Sequence, residues 1–166
     1  MSVSQRTNLI TRMGLMIAAA FILSYIESLL PPLSAIPGIK AGLANIPTLI
    51  ALYTLGSWEA AIVSFVRIIL AGITFNGIPA MIYSLAGATL CLAVMITMKK
   101  IGIFSITAVS AFGGVCHNIG QLAASSVMIG LPILNYLPVL IISGTVAGAF
   151  VGIVTTLTLK HLRVLA

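Results

Sequence analysis

The 166-residue sequence contains no aspartate, and its only acids are Glu27 and Glu59. Enzymes that handle diphosphates through magnesium present clustered carboxylates, so two acids thirty-two residues apart exclude that kind of centre by themselves. None of the four lysines, Lys40, Lys99, Lys100 and Lys160, sits in a glycine-rich loop followed by Ser or Thr, which excludes a phosphate-cradling ATPase loop. No Cys/His spacing resembles a zinc site, and no metal or cofactor is expected. The two cysteines, Cys91 and Cys116, both lie in apolar stretches and read as small buried hydrophobes rather than a disulfide framework. The scarcest resource is charge. Charged residues are 6% of the chain against roughly 25% in soluble domains, too few to cover a globule with a water-facing exterior.

What is abundant is apolar surface: 60% of residues are hydrophobic and the mean hydropathy is +1.24. Such a surface faces lipid, and the expected fold is an all-α membrane protein, a single bundle of about six transmembrane helices spanning 1–166. The spans read as 13–30, 44–56, 58–75, 79–98, 103–129 and 136–159. Arg6 and Arg12 precede the first apolar run, which reaches Leu30 without a small-residue cleavage site and so reads as a retained helix rather than a secretion signal. With six spans and an inner N-terminus, Arg6, Arg12, Lys99, Lys100, Lys160 and Arg163 gather on the inside and only Lys40 remains outside. By the positive-inside rule, the chain is a multi-pass protein of the cell (inner) membrane with both termini cytoplasmic. The formal charge of +6 therefore reports orientation in lipid, and no nucleic-acid partner is implied.

Polar side chains inside the spans are few, and each needs a reason. Arg67 falls about ten residues into the third span, roughly 15 Å at ~1.5 Å rise per residue, near the midplane. A central arginine costs at least ~2.5 kcal/mol to insert, so it should face the protein interior and have a partner. Glu27, near the outer end of the first span, offers a structural Glu27–Arg67 ion pair; the functional reading of Arg67 is a ligand-binding cation, and the two coexist. His117 and Gln121 lie four apart on the fifth span with Gly113 one turn earlier, and Asn118 adds a third polar group. These residues either line a polar cavity or knit helices together, which in membranes is worth about 0.6 kcal/mol each. The stretch Pro37-Gly-Ile-Lys40-Ala-Gly42-Leu-Ala-Asn45 brings a lysine and two glycines to a helix start, an arrangement suited to an anion, though by the physics alone an ordinary Gly/Pro turn with a solvated lysine is the better explanation. The proline-rich connection Pro31–Leu43 is expected to fold over the bundle as a cap or gate. Gly144, Gly148 and Gly152 form a close-packing stripe, and Gly14 with Ala18 a second small-xxx-small pair, for contact within the chain or with a partner. Trp58 and Glu59 open the third span as interfacial anchor and helix-start acid.

Taken together, Tyr25-Ile-Glu27-Ser-Leu-Leu-Pro31-Pro32, the Lys40-x-Gly-Leu-Ala-Asn45 run, Arg67, Ser84-Leu-Ala-Gly87 and His117-Asn-x-Gly-Gln121 resemble the Gx transporter family, also known as heptaprenyl diphosphate synthase component I. The resemblance runs through nearly the whole chain, and the layout is similar to the six-helix S components of energy-coupling factor (ECF) vitamin transporters. It implies that Lys40, Asn45, Arg67, His117, Asn118 and Gln121 bind substrate. As a transporter relative, the chain would be a substrate-binding subunit for uptake of a small, anionic or amphipathic molecule. Its partners would be that ligand, membrane lipid, and an ECF-type coupling subunit with ATPases or another membrane subunit. As a synthase component it would be a non-catalytic accessory in polyprenyl diphosphate or quinone-pathway synthesis, since a prenyl synthase needs paired aspartate-rich motifs.

Overall fold

The computed structural model of the chain describes residues 2–30 and 42–165. Six helices account for it: α1 (Val3–Leu29), α2 (Asn45–Thr54), α3 (Ser57–Ala71), α4 (Ile78–Ile101), α5 (Ile106–Ile129) and α6 (Leu137–Leu165). A π-helical turn, Gly72–Asn76, prolongs α3, a 3-10 turn, Leu131–Tyr136, leads into α6, and no strand occurs among the described residues. Among the described residues four stretches are long and apolar enough to cross a membrane: Val3–Leu29, Ser57–Asn76, Ile78–Ile101 and Leu131–Leu162. The architecture is an all-α membrane bundle.

Helix ends follow local chemistry. Expected to begin near residue 13, α1 starts ten residues earlier because Ser2 and Gln5 form a reciprocal capping box, with hydrogen bonds of 2.9 and 3.2 Å. The helix therefore carries a polar first part, through Arg12, ahead of its apolar one. Ser105 caps α5 through the Ala108 N–H, placing that helix start three residues inside the expected one. Lys99 and Lys100 occupy the last turn of α4, where the helix dipole favours cations, and Gly102 ends it at φ 80°, a conformation that costs glycine little.

The second helix departs from a full span. Its ten residues rise about 15 Å, half of a hydrocarbon core roughly 30 Å thick. It is accordingly an interior element: Pro47 to Leu52 are all buried, and Leu49 and Leu52 belong to the core with Val63, Val109 and Val151. A turn at Gly56 (φ 147°) folds α2 back against α3 as an antiparallel hairpin. Lys99 reaches from α4 to donate to the Leu52 carbonyl, with its ammonium 5.2 Å from the Tyr53 ring centre, and so closes the buried end of α2.

Between lipid-facing helices the hydrophobic effect gives little net attraction, so close approach of small residues must hold the bundle together. The stripe Gly144, Gly148, Gly152 lies on α5: a Cβ on Gly148 would stand 2.5 Å from the Ser110 carbonyl oxygen, and one on Gly152 2.6 Å from the Thr107 Cα. On its other side α5 meets α4, where Gly120 abuts Ala86 and Gly87. The pair Gly14/Ala18 serves no such contact among the described residues; both residues are exposed on α1, and none of the described residues approaches the Gly14 Cβ position within 4 Å. The two sites should respond oppositely to one added methyl. Gly148→Ala should lower stability by about 1–3 kcal/mol through overpacking, while Gly14→Ala should raise it by up to about 1 kcal/mol through helix propensity. Thermal unfolding of the two variants in one detergent compares them directly.

Candidate functional site

The α2–α3 hairpin sets the register of the polar residues. Asn45 and Arg67 each lie eleven residues from Gly56, and Thr48 and Ser64 each lie eight, so two polar rungs face each other across the antiparallel pair. In the outer of these rungs an Arg67 Nη2–H donates to Asn45 Oδ1 at 2.9 Å. One helical turn nearer Gly56, Thr48 and Ser64 are 3% and 2% exposed. All four residues line a cavity of about 110 Å³ to which every helix contributes, room for several water molecules.

The remaining walls are polar at similar intervals. From α1 come Ser24 and Glu27, from the π turn Asn76, from α4 Ser84, and from α5 Ser110, His117, Asn118 and Gln121. Leu49, Leu92, Met95 and Val151 supply the apolar floor and sides. Gly87 makes the α4–α5 wall possible: a Cβ there would stand 2.7 Å from the His117 carbonyl oxygen and 2.8 Å from Gln121 Cγ. Cys91 also lines the cavity, as a free thiol.

The structure gives Glu27 and Arg67 separate hydrogen-bonding partners. Glu27 Oε1 accepts the Gly42 N–H at 2.5 Å and so ties the end of α1 to the entry of α2. Arg67 takes the neutral Asn45 amide instead, and no ion pair joins Glu27 to Arg67 among the described residues. The physical reason lies in the hairpin register, which sets Asn45 level with Arg67. Two buried donors in this cavity have no hydrogen-bond partner among the described residues: Arg67 Nε and Thr48 Oγ1. Such groups cost roughly 1–3 kcal/mol each unless something accepts from them.

Asn45, Arg67, His117, Asn118 and Gln121 thus converge on one cavity, while Lys40 and most of the Pro31–Leu43 connection lie outside the described residues. Asn118 has a second task, because its Nδ2 donates to the Leu140 carbonyl at 2.7 Å and to Ser143 Oγ at 3.4 Å, bracing α5 against α6. Reading residue by residue passed over Ser24, Thr48, Ser64, Asn76, Ser84 and Ser110. A helical-face count finds several of them: Ser24 stands three residues before Glu27, Thr48 three after Asn45, and Ser64 three before Arg67. Chemically, the described residues of the cavity present one guanidinium, one carboxylate, one imidazole, one thiol, and several amides and hydroxyls. It is equipped to hold a polar group by hydrogen bonds. Among the described residues, no three His, Cys, Asp or Glu side chains gather into a metal-binding group.

The family described as heptaprenyl diphosphate synthase component I matches residues 16–158, from the second half of α1 to near the end of α6. The chain belongs to this family. Every cavity-lining residue described above falls inside the matched region. No curated protein and no solved structure matched the chain.

Asn118 and Gln121 separate bracing from cavity lining. Asn118→Ala should cost about 0.6–1.7 kcal/mol of stability, the range of interhelical hydrogen bonds in membranes. Gln121→Ala should cost less than Asn118→Ala, because among the described residues its side chain makes no hydrogen bond that braces another helix. Reversible unfolding in mixed micelles provides the comparison.

Proposed function

We propose that the chain is a ligand-binding membrane subunit, without catalysis of its own, that holds a small polar molecule among its six helices. The observation that carries this is the unpartnered Arg67 Nε, buried in a cavity it shares with one carboxylate, several amides and hydroxyls, and an apolar floor. A bundle that needed Arg67 only for structure would surround its guanidinium with acceptors, because an unmet donor in an apolar interior is a standing cost. With the termini on the cytoplasmic side, the Glu27 end of α1 lies toward the outside, and the cavity takes its ligand from there.

The family match favours a second reading: a non-catalytic membrane component of heptaprenyl diphosphate synthesis, working with a separate synthase subunit. The sequence supports the non-catalytic part, since it holds two acids and no aspartate. In that reading the cavity serves an enzyme partner, whereas uptake requires an energy-supplying one.

Mass spectrometry of small molecules released from the gently solubilised protein distinguishes the two. Ligand binding predicts one molecule in near-stoichiometric amount, lost on exhaustive washing and regained on incubation. A protein that carries nothing, and instead restores prenyl transfer when mixed with a catalytic subunit, belongs to the second reading. Either way, the purified chain alone should show neither ATPase nor prenyltransferase activity.

A further inference from the structure

We infer that the cavity recognises a ligand by a single carboxylate and rejects a diphosphate. The inference rests on the ligand-binding reading and adds the chemical class. Arg67 offers a guanidinium whose Nη2 donates to Asn45 while its buried Nε–H is unpartnered among the described residues, which leaves a charge-assisted donor for an acceptor oxygen. Thr48 adds a hydroxyl that is 3% exposed, lines the same cavity and has no partner. Two unmet donors fixed on facing helices suit one group with two acceptor oxygens.

Charge sets the upper limit. Among the described residues Arg67 is the only lysine or arginine in the wall, and Glu27 faces the same space with the opposite sign. Glu27 already sets its charge against Arg67, so the unmet donors rather than net charge hold a ligand carboxylate, and they suffice for one. A diphosphate brings further negative charge into a low-dielectric site where Glu27 repels it, and desolvated charge without a counter-charge is strongly disfavoured. Carboxylates to organise magnesium around a diphosphate are lacking as well, since the sequence's other acid, Glu59, lies eight residues from Arg67, about 12 Å along α3.

The test uses compounds that share a branched five-carbon body and differ in head group: isocaproate, L-leucine, isoamyl alcohol and isopentenyl diphosphate. Each is titrated into the ligand-free wild-type protein in lipid nanodiscs, with binding read by calorimetry and by the shift in unfolding temperature. Isocaproate or leucine should bind more tightly than the alcohol and the diphosphate, by roughly tenfold or more for the loss of a buried charge-assisted contact. Thr48→Val is the matching variant. It removes an unpartnered hydroxyl at nearly constant shape, so its unfolding temperature should equal or exceed that of the ligand-free wild type. Its affinity for the carboxylate probes should fall roughly tenfold, the usual effect of losing one desolvated donor. Tightest binding by isopentenyl diphosphate, carboxylate affinity untouched by Thr48→Val, or no binding by either carboxylate would overturn the inference. A copurifying molecule without a carboxylate would also overturn it, while leaving the ligand-binding reading in place.

Discussion

Everything in this bundle is arranged around one positive charge that the bilayer would otherwise exclude. A central arginine costs at least ~2.5 kcal/mol to insert, and a hydrogen bond to a charged group returns about 1.5–3 kcal/mol. The contact from Asn45, with the opposite charge of Glu27 in the same cavity, offsets insertion and leaves the Nε–H without an acceptor among the described residues. The shape of the molecule follows from that position. α2 begins at Asn45, as far from the Gly56 turn as Arg67 is, and stops after ten residues. It is consequently a short buried helix whose last turn borrows Lys99 from α4 to satisfy the Leu52 carbonyl.

Holding a polar cavity open in a membrane protein requires walls that do not collapse into it. Here the walls are braced at their backs. Gly144, Gly148 and Gly152 bring α6 onto the backbone of α5, and Gly87 with Gly120 does the same between α4 and α5. Helices in such close contact leave little room for their side chains between them, and His117 and Gln121 lie along the cavity. Asn118 joins the two functions, bonding to α6 at Leu140 and Ser143 while forming part of the lining. Packing and site are therefore one construction: a methyl added at Gly87 would press on both His117 and Gln121.

Much of this was legible in the sequence because membranes make polarity expensive. The low charge and long apolar runs led directly to a helical membrane bundle, and the rare polar residues Arg67, Asn45, His117, Asn118 and Gln121 stood out against them. What the sequence hid was pairing in three dimensions. A Glu27–Arg67 ion pair is the natural expectation from charge alone, yet a hairpin register that depends on the length of α2 gives Arg67 to Asn45 and Glu27 to the Gly42 amide. The helical faces of Asn45 and Arg67 point to Thr48 and Ser64, but that Thr48 lacks a partner is not legible in the sequence. Small hydroxyl residues are common in membrane helices, where they bond their own backbone as Thr54 and Thr89 do here, so a threonine that does not is recognised only in the fold. Helix ends were misjudged where capping outran hydropathy, as with the Ser2–Gln5 box that starts α1 in its polar part.

The central claim is that Arg67 is kept for a ligand rather than for the fold, and Arg67→Met tests it most directly. Methionine fills similar space without charge, and Glu27→Gln made alongside it leaves no carboxylate without a counter-charge; a buried pair of opposite charges replaced by neutral groups of similar volume is often neutral or stabilising. The double variant should accumulate in the membrane, unfold no more readily than ligand-free wild type, and carry none of the small molecule that copurifies with the wild-type chain. A variant that folds and retains that molecule at wild-type occupancy, or that fails to fold although the ligand-free wild type is stable, would contradict the account.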